Sequence, residues 1–393
     1  MTFTLNDEQR LLKDAARDFC GEQAPVSRLR KERDEKKNGR DPALWREMGQ
    51  LGWSGVIVPE EHGGAGLGYV ALGVVLEETG RTLVVSPLHS TAMIGASALM
   101  LAGSDAQKAE WLPKIAAGEV IVALAIDEGS HHAPGKTALK AEKTSGGYKL
   151  TGKKKYVADG HLANLLVVAA RFPDGQIGPV LVKADAAGVT RRELTTADSR
   201  GAADITFDGV DILPWGAAKT EGVDILPWAS AKSGGVDILP WAKATPVLDQ
   251  ILDRARIGLA AEMLGQAQAA FEITTEYLKT RKQFGQVIGS FQALQHRAAK
   301  MFTDIELTRS CVYAALDALD RNADDVSEYA SLAKARAGET LHLVSNELVQ
   351  MHGGIGMTDA HDAGLYLKRA RVAEALYGGA SFHRDRYARL LGF

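Results

Sequence analysis

The chain has 393 residues, 46% of them apolar, enough to bury two or three cores and too many for a disordered protein. Its 46 Lys and Arg against 49 Asp and Glu leave a formal net charge of −3, so there is no basic footprint for nucleic acid. The two cysteines, Cys20 and Cys311, supply no disulfide framework, and no signal-peptide run or membrane-length apolar stretch is present, so a soluble protein of a reducing, cytoplasmic compartment is expected.

Residues 4–20 read as an amphipathic helix, with Asn6 as N-cap and Leu5, Leu11, Leu12, Ala15, Ala16 and Phe19 as the apolar stripe. The charge density of "RLRKERDEKKNGRD" marks it as a solvated connector. Helical periods return at 42–52, 68–82, 91–103 and 105–117, so 1–118 is predicted as an N-terminal helical domain. "VIVALAI", "YKLTGKKKYVA", "NLLVVAAR", "IGPVLVKAD" and "DITFDGV" are short, β-branched and divided by Gly, Asp and Pro. They predict an antiparallel middle β domain, a barrel or sandwich, over 119–243. Helical runs at 247–280, 286–320, 325–350 and 360–376 then predict a C-terminal four-helix bundle over 244–393.

"GVDILPW" occurs at 209–215, 222–228 and 235–241, a period far shorter than that of a solenoid unit. The first copy continues "ITFDGV" naturally. The later two read as a duplicated or engineered surface insertion, which loops tolerate readily.

Several motifs carry no chemistry. "GSHHAPGKT" has the wrong spacing for a phosphate loop and lies among strands. His131 and His132 are adjacent, so on a strand they face opposite ways and make a poor metal pair. There is no CxxC or HExxH, and no metal site is expected. "GGAGLG" lacks dinucleotide-fingerprint spacing, "GKKK" reads as a solvated turn, and no nucleophile elbow exists.

"QMHGGIGMTD" (350–359) is different, because it interrupts two helical runs with bare backbone. Glycine amides near a helix N-terminus can approach and bind an anion, and Arg281 in "YLKTRKQFGQVIGSFQALQHRAAKM" (277–301) offers a forked cation suited to phosphate. Together with "PEEHGG" (59–64), "WLPKIAAGE" (111–119) and the order helices, sheet, helices, these segments resemble the acyl-CoA dehydrogenase family over essentially the whole chain apart from 216–241. "DGHLANLLVVAAR" and "FHRDRYARLLGF" look most like the small-subunit type, the pimeloyl-CoA dehydrogenase small subunits and steroid-degrading relatives.

The resemblance implies an FAD enzyme acting on acyl-CoA, a homo- or heterotetramer, with an electron-transfer flavoprotein as acceptor. It implies that Arg281, Phe284, Gln292, Gln350, Gly353 and Gly354 hold the nucleotide half of FAD, with Tyr156 at the flavin ring and Arg256 at the acyl-CoA. It also exposes departures. The family takes its catalytic carboxylate from "YEGT", here "YGGA" with Gly378, or from a position before an Arg in the bundle's first helix, here Ala255. Its "TEP" reads Asp127–Glu128–Gly129, which puts a negative charge near the ring. Its "WIT" reads Tyr156–Val157–Ala158, without the hydroxyl. The expected reading is a partner subunit that lends its nucleotide grip to FAD whose base lies on another polypeptide. The alternatives are a self-sufficient homotetramer with an unusual base among Asp127, Glu128, Asp253, Glu262 and His89, and an acyl-CoA-binding scaffold without catalysis.

Overall fold

The structure is a computed structural model that describes residues 4–145, 147–212, 223–225 and 247–393. The chain runs α1 (Asp7–Gln23), α2 (Val26–Asp34), α3 (Pro42–Gln50), α4 (Gly68–Arg81), a π-helical segment His89–Gly95 leading into α5 (Ala96–Ala102), and α6 (Asp105–Ala116). The strands β1 (Val122–Ala125), β2 (Lys140–Lys143), β3 (Tyr148–Ala158), β4 (Leu165–Arg171), β5 (Ile177–Lys183), β6 (Val189–Leu194), β7 (Ala202–Ile212) and β8 (Val223–Ile225) follow. Last come α7 (Val247–Thr280), a hairpin of β9 (Lys282–Gln283) and β10 (Gln286–Val287), α8 (Gln292–Asp320), α9 (Val326–His352), α10 (Ala363–Ala375) and α11 (Ala380–Leu390). Helices flanking a central sheet is the architecture the sequence predicts. Among the described residues no helix is long and apolar enough to cross a membrane.

Two compact units emerge: Met1–Lys36 with Tyr69–Val85 and Arg256–Phe393, and Lys37–Gly68 with Ser86–Ala255. In the helical unit, α1 opens on a capping box in which Asn6 and Gln9 exchange side-chain and backbone bonds at 2.8 and 3.1 Å. The charged stretch expected to be a solvated connector is instead α2 over its first half, up to Asp34. Arg28 and Lys31 pair one turn ahead with Glu32 and Glu35, and Leu29 and Glu32 are buried, so charge density concealed a helix. α8, α10 and α11 all pack on α9. α4 crosses α7 where a Cβ on Gly80 would lie 2.1 Å from the Glu262 carbonyl oxygen, and one on Gly265 only 1.8 Å from that of Glu77. Backbone meets backbone there, and the buried Glu77 carboxylate is held by Lys13 (2.9 Å), Arg309 (2.8 Å) and the Tyr313 hydroxyl (2.6 Å).

In the other unit the strand order is β6-β7-β3-β2-β4-β5-β8, with β1 beside β4. β1 pairs parallel to β4 and β2 touches β4 in parallel, so the sheet is mixed where an antiparallel one is expected. The apolar runs of β1 and β4 are buried along almost their whole length, the pattern of strands covered on both faces. β2 ("KAEK") and β6 ("VTRREL") escape prediction because charged, largely exposed residues hide their period. Leu150, Val168, Val180, Ile205, Phe207 and Val210 are central to the core. The first GVDILPW copy ends β7, where Val210–Ile212 pair with β3. Backbone of the second copy, Val223–Ile225, forms the short edge strand β8 on β5. The remaining repeat residues lie outside the described residues.

Candidate functional site

In the helical unit, α7 ends at Thr280 and the Arg281 amide still donates to the Tyr277 carbonyl at 2.9 Å. The chain then reverses through Phe284 (φ 54°) and Gly285 (φ 78°), a two-residue turn with both φ positive that suits the twist of the flanking strands. Gly285 takes that conformation freely. Phe284 does so at a cost and leaves its ring 91% exposed, edge-on to Phe291 at 6.2 Å. Arg281 is exposed beside it, and Gln292, also exposed, starts α8.

α9 stops at His352 because Gly353 swings to φ 64°, ψ −138°, its amide donating to the Gln350 carbonyl. A 3-10 turn, Gly353–Met357, follows. A Cβ built on Gly353, Gly354 or Gly285 would meet no heavy atom within 4 Å, so these stretches present bare, approachable backbone. Gln350 is exposed next to them. A feature missed in the sequence ties the two motifs together. The Tyr277 ring stacks on His352 at 4.2 Å, and His352 in turn lies 4.3 Å from the His361 ring. Burial and His361 push the His352 imidazole below its usual range, and its Nδ1 lies 2.7 Å from the Leu348 carbonyl, so Nδ1–H donates. The only signal in the sequence is the His within "QMHGG". The exposed guanidinium, the glycine backbone and the flat Phe284 face fit the adenosine diphosphate half of a dinucleotide.

The turn at Tyr377–Gly378 lies elsewhere in this unit and is filled. Gly378 has φ 105°, and a Cβ there would sit 2.5 Å from Phe382 Cδ1 and 3.0 Å from His383 Nε2. The Tyr377 carbonyl accepts from Arg256 Nε (3.4 Å) and His383 Nε2 (3.1 Å). Lys334 Nζ donates to the carbonyls of Ala373 (3.1 Å), Glu374 (3.1 Å) and Gly378 (3.0 Å). Burial pushes the Lys334 amine down to about 7, against the pull of Glu374. Three acceptors nevertheless claim three protons, which only the ammonium has. Arg256, expected at the acyl-CoA, is 0% exposed with its guanidinium 5.6 Å from the centre of the Phe382 ring.

In the sheet unit, Tyr156 sits in a β-bulge between Lys154 and Val157, at φ 52° and 59% exposed. Its amide donates to Asp204 Oδ1 at 3.2 Å. Asp127 lies 3.0 Å from His132 Nδ1 through both oxygens and accepts from the Ala133 amide, so its charge already has partners. Glu128 accepts from Lys154 Nζ (2.7 Å) and from the amides of Ala138 and Leu139. Burial raises the Glu128 carboxyl, but these donors outweigh it and the net shift is downward. Ala158 contributes no hydroxyl. Ala255 is buried and its carbonyl lies 2.9 Å from His89 Nε2.

Of the remaining carboxylates weighed as bases, Asp253 is buried. Glu262, also buried, is taken by Arg369 at 3.0 and 3.1 Å and by Gln266 at 3.0 Å.

The family models "Acyl-CoA dehydrogenase, N-terminal domain" and "Acyl-CoA dehydrogenase, C-terminal domain" match residues 6–119 and 245–392. The chain is 30% identical to Acyl-CoA dehydrogenase IpdE2 of Mycolicibacterium smegmatis, over 95% of this chain and 96% of that one. Among solved structures it resembles a variant of the Tcur3481-Tcur3483 steroid ACAD, with TM-score 0.85, 33% identity, and 99% and 98% of the two chains covered. It also resembles the ChsE4-ChsE5 complex from Mycobacterium tuberculosis, with TM-score 0.84, 26% identity, and 100% and 99% covered.

Proposed function

Because the chain belongs to the acyl-CoA dehydrogenase family, we propose that it is the base-lacking subunit of a heteromeric α,β-dehydrogenase of acyl-CoA thioesters. In this reading FAD is shared with a second dehydrogenase subunit that carries the catalytic carboxylate. When bound, the flavin supplies the acceptor for the hydride leaving the β-carbon. Arg281 neutralises and orients the diphosphate, the Gly353–Gly354 backbone and Gln350 approach the nucleotide, and Phe284 and Gln292 give it an apolar face and an amide. Tyr156 is assigned to the ring on the strength of its exposed, bulge-held position. An electron-transfer flavoprotein is the proposed acceptor, and a tetramer the proposed assembly.

One observation carries the reading. The Gly378 turn, one of the two places where the family carries its carboxylate, is held by Arg256, Lys334 and His383 acting on peptide carbonyls, and a Cβ there would stand 2.5 Å from Phe382 Cδ1 and 3.0 Å from His383 Nε2. Abstraction of an α-proton needs a carboxylate poised at that carbon, and the other carboxylates considered are already engaged or buried. Arg256 accordingly becomes a residue that shapes this turn, and its role toward acyl-CoA is indirect. Two similar structures carry paired names, the Tcur3481-Tcur3483 steroid ACAD and the ChsE4-ChsE5 complex, which supports a two-subunit arrangement here.

The test is Arg281→Ala in the isolated assembly. Flavin content per chain is expected to fall while the circular dichroism spectrum stays unchanged. Full flavin occupancy in the variant would remove the nucleotide assignment.

A further inference from the structure

The glycines that make Gly353–Met357 approachable also make it costly to order, since glycine gives up more conformational freedom on ordering than other residues. Its bracing comes from the far end of the sequence, from the helix that charge density had disguised. Arg33 of α2 grips the Asp359 carboxylate through both guanidinium nitrogens, at 2.6 and 2.8 Å. Arg30, one turn earlier, donates to the Asp359 carbonyl at 2.5 Å and to Asp362 Oδ1 at 2.6 Å. The four bonds fall on the short loop between the end of the 3-10 turn at Met357 and the start of α10 at Ala363. The loop's own bonds are local: Thr358 Oγ1 to the Ile355 carbonyl at 2.8 Å, and the Ala363 amide to His361 Nδ1 at 3.1 Å. These set its shape; its place is held by the His361 ring against His352, 4.3 Å away, and by the two arginines of α2.

Asp359 is 70% exposed on its side chain, and a single surface pair of this kind contributes little to global stability. A bidentate pair joined to a second arginine has a different consequence, because it holds one loop in one place. Preorganisation of that kind lowers the entropic cost of binding without adding a contact to the ligand.

We propose that Arg30 and Arg33 are positioning residues for the nucleotide grip: with Asp359 and Asp362 they form a clamp that holds the Gly353–Met357 turn in its binding conformation. The inference rests on the reading of that turn as the nucleotide site. It predicts a loss of affinity from residues that never touch the cofactor, and faster local opening of the turn with the rest of the fold unchanged.

The experiment uses the flavin-containing assembly, stripped of flavin and titrated with FAD while flavin fluorescence is followed, for wild type, Arg33→Gln and Asp359→Asn. Hydrogen exchange is measured across 350–362 in the stripped proteins. Each single variant should weaken FAD binding about tenfold, the scale expected for losing a charge-assisted bidentate pair that is partly exposed. Each should speed exchange at 353–359 and leave Tm and exchange elsewhere unchanged. Unchanged FAD affinity in Arg33→Gln, in an assembly whose wild type binds FAD, overturns the clamp alone. So does weakened binding accompanied by faster exchange throughout the unit. A wild type that binds no FAD in any assembly overturns the nucleotide reading and the clamp with it.

Discussion

Lys334 and Gly378 show how a single turn can be committed to structure. The three Lys334 protons each meet a carbonyl, two of them at the end of α10, where orphan carbonyls otherwise face the protein interior. Lys334→Met keeps the volume and removes all three donors. The expected loss is about 3 kcal/mol, roughly 1 kcal/mol for each carbonyl left unmatched, read as a lower denaturant midpoint. Gly378 is constrained twice, by φ 105° and by the Phe382 ring, so Gly378→Ala should destabilise by about 2 kcal/mol or more and Gly378→Glu by more still. Reinstating the family's carboxylate at this position is therefore expected to yield less folded protein and no gain in activity. A Gly378→Glu variant that folds as well as wild type and bleaches its flavin with acyl-CoA would contradict this account of the turn.

At the scale of elements, the crossing of α4 and α7 is set by Gly80 and Gly265, each lying against a carbonyl of the other helix. Gly265→Ala inserts a methyl where the Glu77 carbonyl already stands. Both partners are backbone and cannot yield by a rotamer change, so a loss of about 3 kcal/mol is expected in chemical denaturation. The same crossing buries Glu77. Burial alone would raise its pKa, but Lys13, Arg309 and the Tyr313 hydroxyl overcome burial and hold it below the ordinary glutamate range. As pH falls, the unfolded chain takes up this proton before the folded one does, so the stabilisation is full above the ordinary range and is lost as pH falls through the folded pKa. Glu77→Gln should thus be less stable than wild type at neutral pH by about 3 kcal/mol, with the gap closing on acidification. A gap that stays constant with pH would show that Glu77 does not titrate between the two states.

Element types were legible wherever apolar spacing was strong: α1, α4, α7, α9 and strands β3, β4 and β7 stand close to where their periods put them. α2, β2 and β6 were not, because their residues are largely charged and what holds them is tertiary packing and strand pairing that local pattern does not carry.

For the whole molecule, what the sequence carried and what it hid divide along physical lines. Exposed backbone and an exposed guanidinium announce themselves as Gly, Phe-Gly and Arg at particular spacings, so the segments proposed to hold the nucleotide could be picked out before any fold was known. The Tyr277–His352–His361 ring stack and the arginines bracing Asp359 join residues up to 329 apart in sequence, and nothing local signals them. The departures at Gly378, Ala255 and Ala158 were visible as substitutions, but only the packed carbonyl-cation turn shows why position 378 cannot be restored simply. On the proposed reading, a chain that keeps a nucleotide grip without a usable base depends on another polypeptide for its colour and its chemistry. Expressed alone, it is expected to purify with little flavin and to transfer no electrons from acyl-CoA to an artificial acceptor. Co-expressed with a second acyl-CoA dehydrogenase subunit that has an intact carboxylate, the pair should co-purify yellow and bleach on adding acyl-CoA. Arg281→Ala in this chain should lower flavin content in that pair, and replacing the carboxylate in the other subunit by Gln should abolish bleaching while flavin stays bound. Full bleaching by the chain alone would show that a base exists among its own residues and would replace the shared-site reading.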